Sequence, residues 1–317
     1  MENGILLDAN ENPYGPYNRY PDPQQRVLKE KIARLKNVAP ESIFLGNGSD
    51  EAIDIAVRVF CEPGRDKILY CPPTFGVVPV AAAINDAIPV TVPATDSFQL
   101  NREWLLPHFN DERLKIVYLC TPNNPTANLL NEADVLFVLD HFKGIVLLDE
   151  AYMEFSGSAS YTRLLPQYPR LVVLQTFSKA WGMAGIRIGM AIAAPEIIHY
   201  FDNVKMPYNI SEANQQIALQ RLAEPELFEQ NRQAILKEKA WLQTALPTCA
   251  VVKKVYPSDA NFFLVEVTDA AKVYRQLTEQ GIIVRNQHKA VPNCLRITAG
   301  RPEENQALIN ALKNMQP

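Results

Sequence analysis

Gly144-Ile145-Val146-Leu147-Leu148-Asp149-Glu150 is an apolar run that stops on two carboxylates, and Leu171-Val172-Val173-Leu174 stops shortly before Thr176-Phe177-Ser178-Lys179. Two earlier runs have the same form: Lys67-Ile68-Leu69-Tyr70-Cys71 ends at Pro72-Pro73, and Ile116-Val117-Tyr118-Leu119-Cys120 ends at Thr121-Pro122-Asn123-Asn124-Pro125. Runs this short, apolar at consecutive positions and separated by helix-length segments, predict strands of a parallel sheet covered on both faces. In such sheets ligands bind beyond the carboxyl ends of the strands. The residues at which the runs stop are therefore the candidate site residues.

Upstream, Val27, Leu28, Ile32 and Leu35 form the stripe of an amphipathic helix over about 24–36. A short strand, Ser42-Ile43-Phe44-Leu45, then runs into Gly46-Asn47-Gly48-Ser49-Asp50-Glu51, and a second helical stripe follows at Ile53, Val57 and Phe60. Downstream, 195–246 reads as mainly helical with breaks near Pro207 and Pro225. The end of the chain alternates strand (261–267), helix (271–280), strands (282–285 and 294–298) and helix (303–315). The predicted fold class is α/β, a mostly parallel sheet with helices on both faces, plus a smaller α+β domain with its own core.

Composition excludes several classes. The 317 residues exceed a typical single small domain. The composition, 47% hydrophobic and 21% charged, argues against disorder and against a fibrous repeat. The net charge of −4 gives no electrostatic reason to expect nucleic acid or an anionic membrane surface. Five cysteines without a C-x-x-C and four histidines without a ligand spacing suggest neither a disulfide framework nor a metal site. No apolar stretch approaches the ~20 residues of a membrane span and Met1-Glu2-Asn3 is not a secretory start, so a cytoplasmic location is expected.

The chemistry concentrates at the strand ends. Gly46-x-Gly48-x-x-Glu51, between a strand and a helix, offers free backbone N–H groups and the positive end of a helix dipole to a phosphate. It lacks the third glycine of a dinucleotide fingerprint and the Lys-Ser/Thr of a P-loop. A tight turn needing glycine dihedrals explains it equally well. Asn124, Asp149, Lys179 and Arg187 each have an ordinary account as a turn, cap or surface residue, but the predicted parallel sheet would bring all four to one rim. A carboxylate at a buried strand end needs a cation, and a protonated aromatic nitrogen would serve. A partly desolvated lysine on the same rim can form an imine with an aldehyde.

The ordered set Asn124, Asp149-Glu150-Ala151-Tyr152, Ser178-Lys179 and Arg187 resembles the fingerprint of fold type I pyridoxal-phosphate aminotransferases. The opening Asp8-Ala9-Asn10-Glu11-Asn12-Pro13 with Asn18-Arg19-Tyr20-Pro21 narrows the resemblance to the histidinol-phosphate aminotransferase family, and the likeness runs from about Leu7 to Arg301. It implies that Lys179 holds pyridoxal 5'-phosphate covalently and then moves the substrate proton. Asp149 would pair with the pyridinium nitrogen, and Tyr152 and Asn124 would hydrogen-bond the ring oxygen. Ser178, Arg187 and the backbone of Ser49 and Asp50 would hold the cofactor phosphate, with Phe75 stacked on the ring. Tyr20 would reach the phosphate of a neighbouring subunit's cofactor, so a homodimer is implied. Arg285 and Arg296 would bind the substrate phosphate and the carboxylates of glutamate and 2-oxoglutarate, with Asn124 beside them. The large cofactor-binding domain would span 24–245. Residues 1–23 with 246–317 would form the small one, its N-terminal part also touching the dimer partner.

The implied reaction converts L-histidinol phosphate and 2-oxoglutarate to imidazole acetol phosphate and L-glutamate, in histidine biosynthesis. A threonine-phosphate decarboxylase or an aromatic-amino-acid aminotransferase would share the cofactor residues and differ in the substrate pocket. A non-catalytic nucleotide-binding module would use the glycine turn alone. Two departures from the family pattern stand out. Ala127 occupies the position after Asn-Pro-Thr where glycine is usual, and only eight residues precede Ala9, fewer than the family usually carries, so the chain is shortened or another element closes the site.

Overall fold

The computed structural model describes residue 5 and residues 7–316; Met1 to Gly4, Leu6 and Pro317, which the expected domain bounds include, lie outside the described residues. Seven strands form the larger sheet: β1 Ile43–Asn47, β2 Lys67–Tyr70, β3 Ile88–Thr91, β4 Leu114–Cys120, β5 Ile145–Asp149, β6 Leu171–Thr176 and β7 Ile188–Ile192. Their order is β1-β7-β6-β5-β4-β2-β3. The block β3-β2-β4-β5-β6 is parallel, whereas β7 runs antiparallel to both β6 and β1. β3 and β7 are additions to the strands legible as apolar runs, because Ile88–Thr91 is mostly exposed and Ile188–Ile192 is interrupted by Gly189.

Alternation along the central strands explains why their sequences are continuously apolar. Ile116, Tyr118, Cys120, Ile145, Leu147, Val172 and Leu174 face one core, with the helices Ser49–Phe60, Val77–Ile84 and Pro195–Val204. Val117, Leu119, Val146, Leu148, Leu171 and Val173 face the other, with the helix Glu132–His141. Both faces are dry, so neither parity can be polar.

The second sheet is antiparallel. It consists of β8 Val252–Val255, β9 Phe262–Val267, β10 Arg285–Asn286 and β11 Cys294–Thr298, in the order β10-β11-β9-β8. It encloses its own core with the helices Pro225–Ala245, Ala270–Glu279 and Pro302–Lys313. The strand expected over 282–285 is shorter than its sequence pattern: Ile282 and Val284 turn toward the core and Ile283 is exposed, but backbone pairing begins only at Arg285.

The two sheets meet where Ala127, Ala151, Tyr152, Ala180, Ala260 and Phe262 pack together. The Asp259 N–H donates to the Ala127 carbonyl at 2.8 Å, and the Asp259 carboxylate accepts from the Leu129 N–H at 2.8 Å. This seam brings β10 and β11 over the carboxyl ends of β4, β5 and β6. Ala127 itself is buried with φ at 68°, in the left-handed region that favours glycine.

Candidate active site

A cavity of about 550 Å³ opens at that rim, lined by the glycine turn, the loops after β2, β4, β5 and β6, and residues 285–296 of the second sheet. Its floor is Asp149, the last residue of β5, only 2% exposed. Asp149 Oδ2 accepts from the Tyr118 hydroxyl at 2.8 Å and Oδ1 from the Ala151 N–H at 2.9 Å. Register explains the first contact: Cys120 lies opposite Asp149, and Tyr118, two residues back, shares its face. Burial pushes the Asp149 carboxyl up to about 6 against the lowering effect of those two donors.

Lys179 follows β6 and opens into the same cavity, its Nζ 5.6 Å from the centre of the Tyr152 ring. Desolvation, and then the positive charge of Arg296, lower its proton affinity from that of an ordinary lysine. Tyr152 is buried, accepts from Asn124 Nδ2 at 3.4 Å, and is held edge-on by Phe262. Asn124 in turn accepts from Arg296 Nη1 at 2.5 Å, and the Arg296 guanidinium lies over the Phe262 ring. Arg296, Asn124 and Tyr152 therefore form one hydrogen-bonded line across the seam. Asn123 supports it from below, donating to the Pro73 carbonyl and to Thr126 while accepting from Thr74, which ties the Phe75 loop to the Asn124 loop.

The glycine turn forms the opposite wall. The helix Ser49–Phe60 begins there without a side-chain cap, Gly48 having φ 81°, so its first-turn N–H groups are left without intrahelical partners. A β-carbon on Gly48 would lie 2.6 Å from Arg187 Nη2, and one on Gly189 would run into the Ser49 backbone. The two glycines thus keep a cradle open between Arg187 and the helix end. Arg187, in left-handed conformation between the Ala184–Ile186 turn and β7, meets Asp50 at 3.4 Å. Ser178 and Thr176 complete this wall, the Ser178 N–H donating to Thr176 Oγ1 at 3.1 Å.

Arg285 and Arg296 are direct cross-strand partners in the β10–β11 ladder, and both line the cavity. Among the described residues neither forms an ion pair with a carboxylate, although the other cavity arginine, Arg187, does. Phe75 is half-buried on the lining. Of the residues singled out from the sequence, Ser49, Asp50, Phe75, Asn124, Asp149, Tyr152, Ser178, Lys179, Arg187, Arg285 and Arg296 come together here. Tyr20 does not: it is 58% exposed and stacks on Tyr208 with centroids 4.5 Å apart.

Residues that sequence reading passed over include Tyr118, Thr176, Gln287 and Ala290. Only Tyr118 left a signal, as the one hydroxyl inside an otherwise apolar strand. Next to Asp149, the wholly buried Glu150 points the other way and accepts from Ser160 Oγ at 2.6 Å, the Tyr161 N–H at 2.5 Å and Gln175 Nε2 at 2.8 Å. Burial nonetheless pushes its carboxyl up to about 6 from 4.5. Between those values the folded chain holds a proton that the unfolded chain has released. Glu150's contribution to stability is therefore greatest at the acid end of the window and is lost as pH rises through it. In urea denaturation the wild type is expected to lose about 1.5 kcal/mol relative to Glu150→Gln between pH ~4.5 and ~6.5; a wild type that gains on the variant as pH rises would contradict this.

The family model described as aminotransferase class I and II matches residues 6–312. A histidinol-phosphate aminotransferase of Bacteroides fragilis (strain YCH46) is 48% identical over 315 residues, covering 98% of this chain and 91% of that protein. The crystal structure of the histidinol-phosphate aminotransferase from Clostridium acetobutylicum aligns with a TM-score of 0.86 at 25% identity, over 94% of this chain and 90% of that one. The fold is also that of the enzyme of the same name from Sinorhizobium meliloti, solved in complex with pyridoxal-5'-phosphate, with a TM-score of 0.85 at 24% identity over 96% and 89% of the two chains.

Proposed function

The chain belongs to the class I and II aminotransferase family, and from that premise we propose that it moves the amino group of L-histidinol phosphate to 2-oxoglutarate, giving imidazole acetol phosphate and L-glutamate in histidine biosynthesis. The observation that carries the substrate assignment is the pair Arg285 and Arg296, adjacent across a ladder, facing the cavity and without a carboxylate of the chain's own. Two unneutralised guanidiniums side by side repel, and a ligand with a phosphate or two carboxylates relieves that through paired N–H donors.

The residues fit pyridoxal 5'-phosphate as the cofactor. The cradle kept open by Gly48 and Gly189, with Arg187, Ser178 and the N–H groups of Ser49 and Asp50, suits its phosphate. Asp149 suits its ring nitrogen, Tyr152 and Asn124 its ring oxygen, and Phe75 its face. When bound, this cofactor supplies an aldehyde that condenses with amines and a ring that takes up the electron pair released when the substrate C–H bond breaks. Lys179 would carry the amine that reacts with that aldehyde, and once freed by substrate its lowered proton affinity would let it take the proton from the substrate carbon and deliver it across the nitrogen to the carbon that had been the aldehyde. Asp149, negative and buried, would hold a proton on the ring nitrogen. Tyr152 and Asn124 would orient the ring oxygen, while Arg296 binds substrate at the end of the same line of hydrogen bonds.

The active unit is proposed to be a homodimer. Tyr14, Tyr17, Tyr20 and Met206 are all more than half exposed, and Tyr20 with Tyr208 presents a stacked aromatic surface, an apolar patch of the kind that marks an interface. In the dimer Tyr20 would serve the neighbouring subunit's cofactor phosphate.

Spectral titration tests the reading. Pyridoxal 5'-phosphate should bind saturably with a near-visible band, and L-histidinol phosphate should convert that band in a single turnover that 2-oxoglutarate reverses. Release of carbon dioxide from threonine phosphate would favour a decarboxylase instead, and absence of any cofactor binding would sink the assignment.

A further inference from the structure

We propose that Tyr118 is a positioning residue of this site: its hydroxyl, donated to Asp149 from the same face of the adjacent strand, aims the carboxylate at the ring nitrogen of a bound cofactor and holds it in its charged form. The inference rests on the pyridoxal-phosphate reading given above.

The geometry is specific. Tyr118 is wholly buried in the middle of β4, and its hydroxyl donates to Asp149 Oδ2 at 2.8 Å with the Cys120 thiol beside it. A carboxylate has about four acceptor positions on two oxygens. Here Oδ1 takes the Ala151 N–H and Oδ2 takes Tyr118, which leaves the cavity side of the group free. Without the hydroxyl one oxygen would lack a donor, and the ionised form would lose its larger support.

The other groups facing Asp149 do not replace that support. Cys120, from β4, is buried and its thiol is pushed well up, so it is neutral. Asp50, at the start of the helix Ser49–Phe60, opposes the charge, and Lys179, after β6, is a cation that favours it. Tyr152, beyond β5, is a buried neutral phenol. Among the influences that lower the Asp149 carboxyl, the Tyr118 hydrogen bond is the largest, ahead of Ala151 and Lys179. The Tyr118 phenol is itself driven far up by burial and stays a donor throughout the working range. The competing account is that the hydroxyl merely satisfies itself on the nearest acceptor, and the two accounts differ in their pH dependence.

The test is the Kd of pyridoxal 5'-phosphate, measured by fluorescence titration from pH 6 to pH 8.5 for the wild type, Tyr118→Phe, Asp149→Asn and the double variant, with thermal midpoints to establish folding. If Tyr118 keeps Asp149 charged, Tyr118→Phe raises the Kd about fivefold at pH 6, because a carboxyl half-ionised there that comes to hold its proton about tenfold more tightly keeps only about a fifth of its charged fraction, and the profile converges on the wild type by pH 8.5. In the Asp149→Asn background the same change then has no further pH-dependent effect. A Tyr118→Phe profile parallel to the wild type, whether coincident or uniformly weaker, overturns the proposal alone. Failure of the wild type to bind the cofactor at all overturns the underlying reading and this inference with it.

Discussion

Lys179→Ala is expected to remove amino transfer and the near-visible absorption of the cofactor-loaded protein together. Lys179 is the sole lysine lining the cavity among the described residues, so no neighbouring amine can take over. Its environment is also the one that makes it reactive: the cavity walls and Arg296 both disfavour the ammonium form, which raises the fraction of neutral amine at neutral pH. A positioned acid–base group contributes about 10²–10⁴-fold to a proton transfer, and the alanine variant loses the covalent attachment as well. Its single-turnover rate with L-glutamate should therefore fall by at least ~10³-fold. Lys179→Arg separates charge from chemistry, because guanidinium retains the positive charge and does not deprotonate; it should be as inactive as the alanine. A rate within tenfold of wild type for either variant would remove Lys179 from the mechanism.

How much of this was readable from the chain depends on which interactions are local. The strands ending at Cys120, Asp149 and Thr176 could be read because both of their faces are buried, which makes every position apolar and every stop conspicuous. Asp149 and Lys179 could be read for the same reason: a charge at the end of such a run has no apolar purpose. The antiparallel course of β7 could not, since it depends on the turn at Ala184–Ile186 and on Gly189 lying against the Ser49 backbone, both tertiary facts. The Tyr118 hydroxyl is conspicuous in its strand, but its partner is not legible, because it is reached only through the register of β4 on β5. Asn123 and Thr74 were hidden likewise, their bond spanning 49 residues of sequence. The arginines came from family likeness, and only the pairing of β10 with β11 makes them neighbours. Ala127 departs from the glycine usual at its position, and the fold meets it by placing alanine in the left-handed region, with its N–H donated to the Asn123 carbonyl at 2.7 Å.

Arg296→Ala should separate function from stability in the opposite sense to an ordinary buried substitution. Removing one partner of a buried ion pair usually strands the other charge at a cost of several kcal/mol, but Arg296 has no carboxylate partner among the described residues, only the Asn124 side-chain oxygen. Beside it stands Arg285, a like charge that further disfavours its ionised form after desolvation. Truncation costs the hydrogen bond to Asn124 and the contact with Phe262 but relieves that repulsion and the desolvation of a buried cation, so the thermal midpoint of the cofactor-free protein should stay nearly level. Activity should move the other way. Two charge-assisted hydrogen bonds to a substrate anion at about 1.5–2 kcal/mol each correspond to a loss of about 10²–10³ in kcat/KM, for L-glutamate and L-histidinol phosphate alike. Arg285→Ala, at a more exposed position, should cost about tenfold and less as salt rises. Arg296→Lys should restore little, because a single ammonium cannot hold Asn124 and grip an anion with paired donors at the same time. A clear fall in thermal midpoint with kcat/KM intact would instead make Arg296 a fastener of the two sheets, acting through Asn124 and Phe262, and would leave the anion to be bound elsewhere.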